Sequence, residues 1–176
     1  NYNRTETQAF LENPTQKVDL IVPRGGEKLI EFVKQNATCP VIVSGRGNNF
    51  VHVDAEADLD VALNVILNAK TTKISACNAV DKVLIHDELI SKTSFVKTLI
   101  EKLKSFDVEV FGDKVISQFE DVNQIENEEI WFEEFLDYKI VIGSIKDLNE
   151  AIAKINNYGG GHSASIITKN NETAQI

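Results

Sequence analysis

Short β-branched runs alternating with amphipathic stretches predict an α/β fold, with a mostly parallel sheet covered by helices on both faces. Two observations carry the prediction. The apolar runs are only strand-long and are bounded by glycine, proline or aspartate. Between them, apolar residues recur every three or four positions, the spacing that gives a helix one buried face.

The elements follow in order. Val18-Asp19-Leu20-Ile21-Val22 reads as a strand, stopped by Pro23-Arg24-Gly25-Gly26 and followed by a helix over 27–35. Residues 40–43 form a second strand that ends in Ser44-Gly45-Arg46-Gly47-Asn48-Asn49, and 50–53 a third. Asp54 is expected to open a long helix to about Lys70, with Leu59, Leu63, Ile66 and Leu67 on one face. After a polar loop containing Cys77, residues 83–86 read as a strand, and Asp87 leads into a helix reaching roughly Lys104. Residues 108–111 are another strand, 112–127 are acidic and weakly patterned, and 131–135 form a helical turn. Residues 139–142 are a strand, Asp147 caps a helix through Asn157, and 164–168 form a last strand entering a turn. The polar opening 1–7 reads as a ragged edge, and the whole as a piece excised from something longer. In parallel sheets ligands sit beyond the carboxyl ends of strands, and the glycine and cysteine loops are expected there.

Composition narrows the function. A chain of 176 residues with 43% hydrophobic content can bury one substantial core. Its apolar runs are too short to span a bilayer and no charged-then-apolar leader opens it, so it is expected to be soluble, without a membrane partner. Eighteen basic against 27 acidic residues give a net charge of −9, which repels phosphodiester backbones and argues against nucleic acid. Two cysteines without repeated spacing suggest a reducing compartment, the cytoplasm.

Cys77 lies on the small-residue loop Ile74-Ser75-Ala76-Cys77-Asn78-Ala79, where a thiolate could attack an acyl group while backbone N–H groups hold the oxyanion. Locally, an inert buried cysteine is the commoner outcome, because free cysteines favour cores. Cys39, between Thr38 and Pro40, reads as packing. Pro23-Arg24-Gly25-Gly26, between strand and helix, suits either a phosphate at a helix N-terminus or a plain tight turn. Arg46 suits an anion contact or a solvated loop. His162 and Ser163, after a run of three glycines, suit a polar substrate contact or a turn. His52 and His86 read as structural or exposed, and the three histidines show no metal-ligand spacing, so no metal is expected. Glu128, Glu129, Glu133 and Glu134 read as a solvated face beside the single tryptophan.

Taken together, Ile21-Val22-Pro23-Arg24-Gly25-Gly26, Val53-Asp54 with Ala57-Asp58-Leu59-Asp60, Asn68-Ala69-Lys70-Thr71 and Cys77-Asn78-Ala79 resemble, in order, the γ-glutamyl phosphate reductases. Glu134-Phe135-Leu136-Asp137, Ile155-Asn156-Asn157-Tyr158-Gly159, Gly161-His162-Ser163 and Ile166-Ile167-Thr168 continue that order over nearly the whole chain. The resemblance implies an aldehyde-dehydrogenase-like catalytic domain. It also implies an oxidoreductase of proline biosynthesis that uses NADPH to reduce L-glutamyl 5-phosphate to L-glutamate 5-semialdehyde. By the resemblance Cys77 is the nucleophile that forms a glutamyl thioester, with Asn78 beside it in the catalytic motif. Pro23, Arg24, Gly25 and Gly26 fall on the cofactor side, Glu133 and Phe135 at the nicotinamide riboside, and His162 and Ser163 near the glutamyl pocket.

The resemblance further divides the chain into an edge of the cofactor-binding domain (1–38), a catalytic domain (39–170) and the start of a connection (171–176). Most of the family's nucleotide-binding segment and its C-terminal oligomerisation segment have no counterpart here, so this stretch alone is expected to be inactive and the intact protein a homo-oligomer. Three stretches depart from the family pattern. Val43 stands where hydrolytic relatives carry a glutamate base, which suits a thioester resolved by hydride rather than water. Asn49-Phe50 replaces the usual Cys-His, and Ile74-Ser75-Ala76 replaces the usual residues before the cysteine. Alternative readings are a CoA-acylating aldehyde dehydrogenase and a noncatalytic relative serving as an interaction domain.

Overall fold

A computed structural model describes residues 4–24, 27–43 and 47–176, which divide between two compact units, 1–44 and 45–176. The first unit contains helices α1 (Arg4–Glu12) and α2 (Glu27–Asn36). The opening expected to be ragged is thus helical from Arg4, with Leu11 buried. The runs 18–22 and 40–43, expected as strands, meet only at the isolated parallel bridge Ile21–Val41. Ile21 N–H donates to the Pro40 carbonyl and Ile42 N–H to the Ile21 carbonyl, each at 3.0 Å. Pro23 and Pro40 have no N–H to extend that ladder.

The second unit is built on a six-stranded sheet: β1 (Asn49–Val53), β2 (Val80–His86), β3 (Glu109–Gly112), β4 (Val122–Gln124), β5 (Lys139–Ile145) and β6 (Ala164–Ile167). The order is β4-β3-β5-β2-β1-β6 and every pairing is parallel, as the alternating pattern predicts. The connections include helices α3 (Leu59–Thr71), α4 (Asp87–Lys92), α5 (Phe95–Lys104) and α6 (Leu148–Tyr158).

Strand periodicity supplies two cores. Val83 and Ile85 of β2 join Val51, Val53, Ile140 and Ile142 in the core that includes Ala62 and Ile66 of α3 and Leu99 and Leu103 of α5. Leu84 points the other way, joining Phe50, Trp131, Val141, Ile145 and Ala151 of α6. Burying each of Val83, Leu84 and Ile85 completely contributes about 1.5–3 kcal/mol. Such a central strand needs apolar residues on both faces, and its sequence has them.

Some boundaries differ from expectation. Asp58, not Asp54, caps α3, accepting from Val61 N–H at 3.3 Å. A turn closed by Ala57 N–H on the Asp54 carbonyl intervenes, and the Asp54 carboxylate instead accepts from Thr168 Oγ1 at 2.6 Å. The helix expected over 87–104 is broken between α4 and α5. The Thr93 hydroxyl donates to the Leu89 carbonyl at 2.6 Å and accepts from Phe95 N–H at 3.2 Å, competing with the helical ladder. The weakly patterned acidic stretch holds a 3-10 turn (Ile116–Gln118) and the edge strand β4. A second 3-10 turn occupies Glu128–Phe132, and Asp147 caps α6 through Glu150 N–H at 2.9 Å.

Candidate functional site

The candidate residues of the second unit gather at the amino ends of the strands, which overturns the expectation that the cysteine loop lies beyond the carboxyl ends. Gly47 and Asn48 lead into β1, Cys77 and Asn78 into β2, Glu133 and Phe135 precede β5, and His162 and Ser163 precede β6. Because the strands are parallel, the loops that enter them share one edge of the sheet. The carboxyl ends lead instead into turns and helices, such as β2 into α4.

Cys77 is exposed, not the buried core cysteine its local sequence favours. Its loop is a pair of tight turns, Ala76 N–H to the Lys73 carbonyl at 3.1 Å and Ala79 N–H to the Ala76 carbonyl at 2.9 Å. Small side chains at 75, 76 and 79 permit that path. The loop is held from β1: the Asn49 carboxamide donates to the Cys77 carbonyl at 2.7 Å, the Ala79 carbonyl at 2.9 Å and the Gly47 carbonyl at 2.5 Å. Its Oδ1 accepts from Ser163 Oγ at 2.5 Å, and Ser163 Oγ lies 3.4 Å from Nδ1 of His162. Gly47 sits so close that a Cβ there would stand 2.5 Å from the Cys77 carbonyl oxygen and against the Glu134 carboxylate. Gly161, before His162, has φ +69, a left-handed turn that glycine adopts without strain.

The segment carrying Glu133 and Phe135 is anchored to β2 by buried charge. Lys82 Nζ donates to the Glu133 carbonyl at 2.7 Å and lies 4.0 Å from the centre of the Phe135 ring. Asp81 accepts from Phe135 N–H at 3.0 Å with one oxygen and from Lys70 Nζ at 2.9 Å with the other. Lys70 and Lys82 are fully buried and Asp81 nearly so. Burial pushes Lys82 down to about 8, with the nearby Lys70 charge adding to the effect and Asp81 and Glu133 opposing it. Burial lowers Lys70 as well, against the pull of Asp81. The Glu133 side chain remains exposed beside a cleft of about 540 Å³, while Phe135 is half-buried against Phe111.

The structure thus links Cys77 with Asn49, Gly47 and Ser163, and ties Glu133 and Phe135 to the same strand β2 that the cysteine loop enters. In the first unit, Pro23 is buried, Arg24 is exposed and Cys39 is half-buried. Gly25, Gly26, Gly45 and Arg46 lie outside the described residues. His52 is buried, with Nδ1 3.2 Å from the Leu84 carbonyl, and burial lowers its basicity. His86 caps α4. Of the glutamates beside the tryptophan, 128, 129 and 133 are exposed, as a solvated face requires. Among the described residues no group of His, Cys, Asp and Glu converges to hold a metal ion, and no helix is long and apolar enough to cross a membrane.

Sequence reasoning missed the polar residues behind the loops. Asn49 was visible only as a departure from a family pattern. Asp81 and Lys82 carried a signal, two adjacent charges inside a run otherwise fit for a central strand. Nothing linear showed which segments they would hold.

No family model matches the chain. The γ-glutamyl phosphate reductase of Clostridium beijerinckii is 41% identical over 160 residues, covering 90% of this chain and 38% of that protein. The one from Agathobacter rectalis is 38% identical over 177 residues, covering 98% of this chain and 41% of its own length. The crystal structure of γ-glutamyl phosphate reductase from Thermotoga maritima superposes with a TM-score of 0.89 at 38% identity, covering 99% of this chain and 42% of that one. Betaine aldehyde dehydrogenase of Staphylococcus aureus, at 16% identity and a TM-score of 0.68 over 96% of this chain and 43% of its own, shares the fold. The chain spans about two fifths of the length of the curated relatives it matches. Over that span, with its parallel sheet and the cysteine loop entering β2, it is similar in sequence to the γ-glutamyl phosphate reductases and has the aldehyde dehydrogenase fold.

Proposed function

We propose that the full-length protein carrying this chain reduces L-glutamyl 5-phosphate to L-glutamate 5-semialdehyde with NADPH, a step of proline biosynthesis, in the cytoplasm. The observation that carries the reading is an exposed cysteine on a loop whose backbone is pinned, at the strand edge where Glu133, His162 and Ser163 also lie. Residues 39–170 act as the catalytic domain, 1–38 as the edge of the cofactor domain and 171–176 as the start of a connection to a segment that joins subunits of a homo-oligomer.

The Sγ of Cys77 attacks the acyl carbon; the S–C bond forms as the C–O bond to phosphate breaks, leaving a glutamyl thioester and free phosphate. The backbone N–H of Cys77 helps hold the developing oxyanion, with Asn78 beside it in the catalytic motif. His162 and Ser163 are exposed donors and acceptors suited to the polar glutamyl end. Val43 supplies no base to activate water, so the thioester survives until it is reduced.

The residues present fit a nicotinamide riboside. Glu133 offers an exposed carboxylate to hydroxyl donors while Lys82 fixes its backbone, and Phe135 adds an apolar surface. The cleft beside Glu133 also carries Glu109, Glu126 and Glu129, which repel phosphate. The family resemblance supports a cofactor-side role for Pro23, Arg24, Gly25 and Gly26. NADPH, when bound, supplies the hydride. Cys77 then leaves as thiolate when the S–C bond breaks and the aldehyde is released.

Two measurements on the full-length protein test this. Glutamate 5-semialdehyde with phosphate and NADP should give NADPH, whereas a simple aldehyde with CoA should not; the reverse outcome sinks the assignment. Cys77→Ser should lower turnover by at least about 10³-fold with an unchanged melting temperature, and retained turnover removes Cys77 from the chemistry.

A further inference from the structure

We propose that Asn49 is a positioning residue for Cys77: its carboxamide aims the thiol, and Ser163 holds that carboxamide in place. The inference rests on the reading of Cys77 as nucleophile. Asn49 opens β1 with 4% of its surface exposed. Its nitrogen faces the carbonyl oxygens of Gly47, Cys77 and Ala79, and its oxygen accepts the Ser163 hydroxyl. Exchanging nitrogen for oxygen would set an acceptor against three acceptors, so the amide has one workable orientation.

The carbonyls of 77 and 79 bracket Asn78, and both end on the same side chain. Among the described residues, neither Cys77 nor Asn78 makes any other hydrogen bond. Apart from the turn closed by Ala79 N–H on the Ala76 carbonyl, the path from Cys77 to the start of β2 is held by Asn49. With that backbone pinned, the sulfur is one torsion, χ1, from a fixed frame and has three staggered positions to choose from. Gly47 closes the other side, since its backbone leaves no room for a side chain against the Cys77 carbonyl. Ser163, next to His162 and entering β6, joins the loop proposed for the glutamyl group to the loop of the nucleophile through this one carboxamide.

The test uses the full-length protein, with Asn49→Ala and Ser163→Ala variants, steady-state kinetics with glutamate 5-semialdehyde, phosphate and NADP, and amide hydrogen exchange over residues 77–79. Asn49→Ala should lower kcat about tenfold to a hundredfold while KM moves less than about threefold, since misorientation of a bound nucleophile acts on the chemical step. Exchange at 77–79 should quicken in the same variant. Ser163→Ala should show both effects, smaller. A folded Asn49→Ala protein with wild-type kcat, or with its loss confined to KM, overturns the proposal. If Asn49→Ala fails to fold, Ser163→Ala decides: a fall in kcat with faster exchange at 77–79 supports the relay whatever KM does, and unchanged kcat with unchanged exchange overturns it. Should the wild type lack turnover, the reductase reading fails by itself; faster exchange in Asn49→Ala would still support the clamp, and unchanged exchange would overturn it too.

Discussion

Two polar side chains act as hydrogen-bond hubs at opposite edges of the sheet, and they differ in what they join. Asn49, at the amino edge, connects the segments around residues 47, 77 and 163. Asp113, after β3 at the carboxyl edge, accepts from Val115 and Ile116 N–H at 3.0 Å each and from Ser144 N–H at 2.5 Å and its hydroxyl at 2.8 Å. Asp113 closes a turn and ties two neighbouring strands, so its bonds stabilise the fold. Asn49 holds a loop that ends in an exposed thiol, so its bonds set a direction as well as a stability. A polar group buried at a strand end is functional or structural according to what it restrains.

Three changes can break or sharpen that contrast. The largest effect is expected from Gly47→Ala, whose new Cβ would force the Cys77 carbonyl to move; turnover should fall on the order of 10²-fold, checked by steady-state kinetics beside a melting curve. If Gly47→Ala keeps full turnover, the loop tolerates displacement and the contrast disappears. Asp113→Ala should act in the other sense. It strands the N–H groups of a half-buried turn and should cost about 2 kcal/mol in urea unfolding, with kcat of the folded protein unchanged.

The smallest effect is a pH dependence. Lys82 is lowered from the ordinary lysine value to about 8 by burial, while in the unfolded chain it keeps that ordinary value of 10.5. Between those limits the unfolded chain holds a proton that the folded chain has shed. The Lys82 contribution to stability therefore rises as pH climbs from about 8, and the cost of burying its charge is complete below that. Relative to Lys82→Met, the wild type should gain on the order of 1 kcal/mol between pH 7 and 9.5, read from urea unfolding at both pH values. A flat difference would mean that Lys82 keeps its proton throughout and that the Glu133 segment rests on a permanent buried charge.

Much of the fold was legible because burial imposes periodicity. β2 had to be apolar on both faces, α6 had a carboxylate at its first turn, and the structure contains both. The failures have local causes. Prolines ended the ladder at 21 and 41, a threonine hydroxyl split the helix after 92, and the turn after β1 moved the cap of α3 from Asp54 to Asp58. The rule for ligand sites in parallel sheets pointed to the carboxyl edge, whereas the cysteine loop enters β2 at the amino edge, because strand direction does not decide which loop holds a cysteine.

By itself, then, the sequence determined the parallel α/β architecture and, through the order of its motifs, the likeness to the γ-glutamyl phosphate reductases; both are written along the chain. Only the tertiary structure decided that Cys77 is exposed, that Asn49 holds its loop, and that Asp81 and Lys82 carry the Glu133 segment. Those contacts join residues 28 to 114 positions apart, and hydrogen bonds between such distant residues leave no periodic trace in the chain that makes them.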